Sequence, residues 1–130
     1  MTNKPVVVLD GVSDEVMIDN AQEFADAIVG RSIKNVDNSG AFKIELNDGT
    51  VVVLYNSDDC CAYTELDGFF LSDDYGDDIV TNVEIDEVDY SMSWHVLAED
   101  KRILDLDVAY SEGSGCYHYG FWIDVSKGNK

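Results

Sequence analysis

Phe42-Lys43-Ile44-Glu45-Leu46-Asn47-Asp48-Gly49-Thr50-Val51-Val52-Val53-Leu54-Tyr55 is the stretch that decides the fold. Phe42, Ile44 and Leu46 alternate with Lys43 and Glu45, and Val51, Val53 and Tyr55 alternate with Val52 and Leu54. A period of two is the signature of a strand with one buried face. Asn47-Asp48-Gly49 between the two runs supplies turn chemistry, so the stretch predicts a β-hairpin. The second run is apolar on both faces, which predicts a strand in the interior of its sheet.

The same period continues downstream. Tyr63 to Leu71 reads as a strand with Leu66, Phe69 and Leu71 inward, a helical turn around Glu65 to Phe70 being the alternative. Asp73-Asp74-Tyr75-Gly76-Asp77-Asp78 has the composition of a loop. Ile79, Thr81, Val83 and Ile85 alternate with Val80, Asn82 and Glu84. Met92, Trp94, Val96 and Ala98 alternate with Ser91, Ser93, His95 and Leu97, and Glu99 to Arg102 is a polar hairpin loop. Leu104, Leu106, Val108 and Tyr110 then alternate with Asp105, Asp107 and Ala109, which predicts one buried face and one wet, acidic face. After the glycine-containing loop Ser111 to Gly115, a last strand carries Tyr117, Tyr119, Phe121, Ile123 and Val125 on one side. His118, Gly120, Trp122 and Asp124 take the other.

Upstream of the hairpin the period is 3.6. Met17, Ala21, Phe24, Ala25 and Ile28 form one apolar stripe, which predicts a helix. Asp19 or Asn20 can cap it, with Gln22 or Glu23 three residues on, and an earlier start near Ser13-Asp14-Glu15 is open. Gly30 suits the position after the helix, and the cation of Arg31 complements its C-terminus. Pro5 to Asp10 is a short strand or extended lead-in. Ile33 and Val36 form a strand ending at Asp37-Asn38-Ser39-Gly40.

The expected architecture is mainly β, of the α+β kind: an antiparallel sheet or partly open barrel of seven or eight strands with one N-terminal helix packed on it. A chain of 130 residues, 45% hydrophobic and 11% aromatic, is long enough to bury a core as one domain. Residues 1–12 are then a lead-in strand or arm and residues 126–130 a polar tail. The run Val6-Val7-Val8-Leu9 is too short for a secretory signal, and no stretch has the length of a membrane span.

Three cysteines, two of them adjacent, give no disulfide framework and fit a reducing cytoplasm. Cys60 and Cys61 with Cys116 and His118 are the only route to a zinc site, but adjacent cysteines on a strand point to opposite faces. A thiol nucleophile would need His95 or His118 as its base, in surroundings acidic enough to raise the thiol pKa. The Asp73–Asp78 loop lacks the spacing of an EF-hand. No phosphate loop, nucleophile elbow or basic aromatic patch occurs. The residues therefore point to no catalytic group, no cofactor and no metal.

Charge is the outlier. The chain has 27 acids against 8 bases, a formal net of -19. From Ile44 to Asp100 no lysine or arginine interrupts the acids. Such a field repels nucleic acid and anionic membrane and attracts basic protein surfaces. Its densest part, with aromatic residues interleaved, names the expected partner-binding residues: Asp58, Asp59, Tyr63, Asp73, Asp74, Tyr75, Asp77 and Asp78. A surface that offers carboxylates where DNA offers phosphates would draw a DNA-binding protein by the same steering forces.

Six fragments, in order, resemble an uncharacterised family of small acidic proteins from actinobacterial, mycobacterial-type phages. They are Gly30-Arg31-Ser32-Ile33, Leu46-Asn47-Asp48-Gly49-Thr50, Asp59-Cys60-Cys61-Ala62-Tyr63-Thr64, Ile79-Val80-Thr81-Asn82-Val83, Trp94-His95 and Tyr119-Gly120-Phe121. The Cys-Cys-Ala-Tyr-Thr piece is the most specific of them. The loop Ser111 to Cys116 departs from the family's Gly-Asn-Pro-type turn, and the lead-in lies outside the resemblance. The resemblance implies a phage origin and no known catalytic role. The expectation is a non-enzymatic phage accessory protein in the host cytoplasm, binding a basic partner such as a host DNA-binding protein, with homo-oligomers possible. The alternatives are a virion component (capsid decoration or minor tail protein) and, last, a thiol or metal enzyme.

Overall fold

The computed structural model describes residues 6–9, 12, 14–59, 62–88, 91–99, 101–111 and 119–127. The cysteines Cys60, Cys61 and Cys116, together with His118 and Tyr117, lie outside the described residues, so the zinc and thiol readings find no geometry here.

The hairpin forms where the alternation places it. β3 (Phe42–Leu46) pairs antiparallel with β4 (Val51–Tyr55), Phe42 opposite Leu54 and Ile44 opposite Val52. The turn closes with Gly49 N–H donating to the Leu46 carbonyl, 3.0 Å, and Leu46 N–H donating to the Thr50 carbonyl, 2.8 Å. Gly49 sits at φ +92°, a left-handed conformation that costs a residue without a Cβ little. The Asp48 carboxylate accepts from Thr50 N–H, 3.0 Å, and from Arg31, 2.9 Å. The Thr50 hydrogen bond leads in holding its pKa below the ordinary value of 3.8.

β4 is interior, as its two apolar faces require. Its sheet runs β10 (Trp122–Ser126), β4, β3, β2 (Ile33–Asp37), all antiparallel. The chain then crosses to a second sheet through one residue. Asn56 separates β4 from β5 (Ser57–Asp59), and its side-chain oxygen accepts from Leu66 N–H at 3.0 Å, so the corner leaves that donor satisfied. The second sheet has six strands, in the order β1 (Val6–Val8), β7 (Asn82–Val88), β8 (Ser91–Ala98), β9 (Lys101–Ser111), β6 (Ala62–Leu71), β5. Only β1 and β7 run parallel, with the helix in the connection between them.

The fold is therefore mostly β with one helix, α1 (Glu15–Ile28). It is two open, largely antiparallel sheets and not a barrel. Ten strands occur among the described residues, more than the seven or eight expected, because the lead-in and the short β5 both join a sheet.

Several local expectations are corrected. Asp14 caps the helix, its carboxylate accepting Met17 N–H at 3.0 Å, so the earlier start is the real one and Asp19 and Asn20 lie inside. Gly30 takes φ +90° after the helix, and Arg31 donates to the Ala27 carbonyl in its last turn, as the sequence suggested. β6 is a strand and has no helical turn, but a bulge between Leu66 and Gly68 shifts its alternation. Leu66 and Leu71 pack on the core, while Phe69 stays 37% exposed and lies over Phe42 with ring centroids 5.1 Å apart. The strand expected from Ile79 begins only at Asn82. Val80 instead exchanges backbone hydrogen bonds with Gly30 and Arg31, which buries Val80 and turns Ile79 outward.

One hydrophobic cluster joins the helix to the inner faces of both sheets. Trp94 lies at its middle, between Phe24 of the helix at 5.5 Å and Phe121 beside β10 at 5.4 Å. Edge-on contact of Trp94 with Phe121, at an interplanar angle of 80°, suits the aromatic quadrupoles. Among the described residues no helix is long and apolar enough to cross a membrane.

Candidate functional site: the acidic outer face of the six-stranded sheet

Alternation sends every second residue of β7, β8, β9 and β6 away from the core, and the register sets these residues side by side. One row runs Glu84, His95, Asp105, Phe70 across the four strands. The next runs Asp86, Ser93, Asp107, Gly68. Asp58 of β5, Tyr63 of β6 and Ser111 of β9 form a third row toward the other end. Glu65 and the bulge residue Asp67 are exposed between them. Neighbouring strands lie about 4.8 Å apart and alternate residues about 6.8 Å apart, so this is a lattice of carboxylates at fixed spacing.

His95 is the centre of the lattice. It is only 7% exposed although it faces outward. Its Nδ1 lies 2.6 Å from an Asp105 oxygen. An ionised carboxylate can only accept, so Nδ1 carries the proton and donates. Nε2 faces Asp86 at 3.8 Å. The atom that would act as a general base thus looks at another carboxylate. Arg102 reaches Glu84 at 3.4 Å and is the one fixed cation on this face among the described residues. Phe70, 68% exposed, stands beside Asp105 as an apolar post within the acids. Fixed carboxylates around an exposed aromatic ring can bind a basic surface with an apolar anchor.

The expected partner-binding residues divide into two places. Asp58 and Tyr63 belong to this face, directly paired across β5 and β6. Asp59 stands next to Asp58 in β5, opposite Ala62. The Asp73–Asp78 loop lies elsewhere and is partly consumed by the protein itself. Tyr75 is half-buried against the core, its hydroxyl donating to the Lys34 carbonyl at 3.2 Å. Asp74 accepts from Lys101 at 2.7 Å and from Ser72 at 2.6 Å, and Lys101 also reaches Asp78 at 3.4 Å. The Lys101 hydrogen bond is the main reason the Asp74 carboxyl titrates below its ordinary range, and the same contact raises Lys101. Asp73 and Asp77 remain exposed. Among the described residues no group of three or more histidine, cysteine or acidic side chains is placed to hold a metal ion.

Glu84, Asp86, Asp105, Asp107 and Phe70 are not among the partner-binding residues expected from the sequence, and His95 enters there only as the base a thiol nucleophile would need. Each strand's alternation was readable, and the acidic face of β9 was expected. What brings the residues together is the pairing order of the strands, which the alternation does not contain.

No curated protein and no solved structure matches the chain. A family model does match residues 26–125, from the second half of the helix to β10, and the chain therefore belongs to the family described as a domain of unknown function, DUF7448.

Proposed function

We propose that this is a non-enzymatic accessory protein of a phage that docks its acidic sheet face on a basic protein surface, such as that of a host DNA-binding protein, in the host cytoplasm. The observation that carries the reading is the lattice Glu84, Asp86, Asp105, Asp107 around His95, with Asp58 and Tyr63 on the same face and Phe70 exposed among them. Carboxylates held on paired strands need little reorganisation to meet lysines and arginines, so less ordering cost accompanies binding. The phage origin rests on the sequence resemblance, and the DNA-binding partner on the sign and density of the charge.

The test is binding to a purified basic DNA-binding protein of the host, followed at increasing salt and with duplex DNA as competitor. Affinity should fall steeply with salt, because exposed charges are screened within about 8 Å at physiological ionic strength. Asp86→Lys with Asp107→Lys should abolish binding, while Asp124→Lys on the four-stranded sheet should leave it intact. Equal loss in both variants, or binding indifferent to salt and DNA, defeats the reading. Stoichiometric copies in purified particles would place the protein in the virion instead.

A further inference from the structure

We propose that Tyr110 and Tyr119 form an oxidative modification site, at which a one-electron oxidant joins the two rings by a carbon–carbon bond within one chain. Both rings pack against the core, on the side of the six-stranded sheet opposite its acidic face, so the site stands or falls apart from the docking reading.

Tyr110 of β9 and Tyr119, just ahead of β10, stack with ring centroids 6.1 Å apart and planes 8° from parallel. The fold holds them there. Thr64 pairs with Tyr110 across β6 and β9, and its buried hydroxyl accepts Gly120 N–H at 2.7 Å. The residue after Tyr119 is thus tied to the strand neighbour of Tyr110. Both rings are half-buried, which hinders the approach of a ring from a second chain, and a net charge of -19 keeps chains apart. Groups held side by side react as one molecule and not as two.

Each ring also has its own proton acceptor. Removing an electron from a phenol makes its O–H strongly acidic, and a base within about 2.6 to 3.2 Å eases the step. The Tyr110 hydroxyl donates to Glu87 at 3.1 Å, and the Tyr119 hydroxyl to Asp14 at 3.1 and 3.2 Å. Tyr75, by contrast, donates to the Lys34 carbonyl, which takes no proton. Burial, with the Glu87 charge, keeps Tyr110 protonated at neutral pH, so its electron leaves together with its proton. Two oxidant equivalents each take one electron, and Glu87 and Asp14 take the two phenolic protons and pass them to water. The phenoxyl radicals bond through ring carbons ortho to their oxygens. The hydrogen on each of those carbons then moves to its oxygen, which restores both phenols.

The test exposes the whole chain to tris(bipyridine)ruthenium(III), generated by light and persulfate. The wild type should become a monomer lighter by two hydrogens, with the blue fluorescence of dityrosine, at a rate independent of protein concentration. Glu112 lies between the two tyrosines in sequence, so cleavage after glutamate in the unfolded product should leave two fragments still joined through Tyr110 and Tyr119. Tyr110→Phe and Tyr119→Phe should each abolish the fluorescence, while Tyr55→Phe and Tyr75→Phe retain it. Glu87→Gln should slow the coupling at least about tenfold, a positioned base being worth roughly a hundredfold or more. Four results overturn the proposal: fluorescence that survives in Tyr110→Phe or Tyr119→Phe, fragments joined through other residues, covalent dimers as the main product, or coupling as fast in Glu87→Gln as in the wild type.

Discussion

Asn20 and Phe121, 101 residues apart, exchange a closed pair of hydrogen bonds. The Asn20 amide donates to the Phe121 carbonyl at 3.0 Å, and Phe121 N–H donates to the Asn20 side-chain oxygen at 2.8 Å. The asparagine thus substitutes for a strand neighbour, satisfying backbone groups just before β10 joins its sheet. Both residues are buried, so neither partner has water to fall back on. Asn20→Ala would leave a donor and an acceptor unpaired, at about 1 to 3 kcal/mol each. We expect a loss of about 3 kcal/mol in urea unfolding, and a smaller loss for Gln22→Ala, whose hydrogen bond to Asp26 is exposed. Equal effects of the two substitutions would contradict a structural role for the pair.

The Asn20 contact also marks what the sequence could and could not convey. Phe42 to Tyr55 announced its hairpin because period, turn residues and register all lie within one short segment. The apolar stripe of the helix was equally plain. Its start was not, since Ser13, Asp14, Asp19 and Asn20 are all capping types, and only the tertiary bond to Phe121 explains why Asn20 belongs inside. The Asp73–Asp78 loop looked like a free acidic surface because Lys101, which neutralises part of it, comes 27 residues after Asp74. Conversely, Glu84, His95 and Asp105 lie on three strands whose adjacency follows from pairing and not from any local pattern.

Asp14 has two tasks that substitutions can separate. Its carboxylate caps α1 through Met17 N–H and accepts the Tyr119 hydroxyl at 3.1 and 3.2 Å. Asp14→Ala should cost about 1 to 2 kcal/mol from the cap, plus whatever the tyrosine bond contributes. Asp14→Asn keeps a capping oxygen and should lose far less. Tyr119→Phe removes only the hydroxyl and should fall between wild type and Asp14→Ala. Thermal melts of the three variants decide it: a Tyr119→Phe loss as large as that of Asp14→Ala would reassign the stability to the tyrosine.

Tyr110 makes alkaline stability readable. Its ring stacks on Tyr119, centroids 6.1 Å apart, and its hydroxyl donates to Glu87 at 3.1 Å. Burial first, and the Glu87 charge second, push its pKa above the ordinary value of 10.0. A raised folded-state pKa means that the native protein holds this proton more tightly than the unfolded chain. The stabilisation is therefore complete below about pH 10 and is lost as pH rises through the folded value. Urea midpoints measured from about pH 8 upward should decline above about pH 10 in the wild type and decline less in Tyr110→Phe. Parallel curves would show that the hydroxyl carries no linkage.

His95 should stabilise the acidic face through its hydrogen bond to Asp105 as well as through packing. It is nearly buried between Asp105 at 2.6 Å and Asp86 at 3.8 Å, with Glu84 opposite it on β7. His95→Leu fills similar space but leaves Asp105 without its donor among like charges, a loss of about 1 to 3 kcal/mol. If charge matters, added salt should recover part of the loss, because repulsion between exposed carboxylates is screened. Asp105→Asn placed on the His95→Leu background should recover more, since it removes the orphaned charge itself. The double-mutant cycle then gives a coupling energy of the size expected for contacting residues, about 0.5 to 3 kcal/mol. A cycle that closes to zero, with salt without effect, would mean that the imidazole only fills space and that the four carboxylates around it tolerate one another unaided.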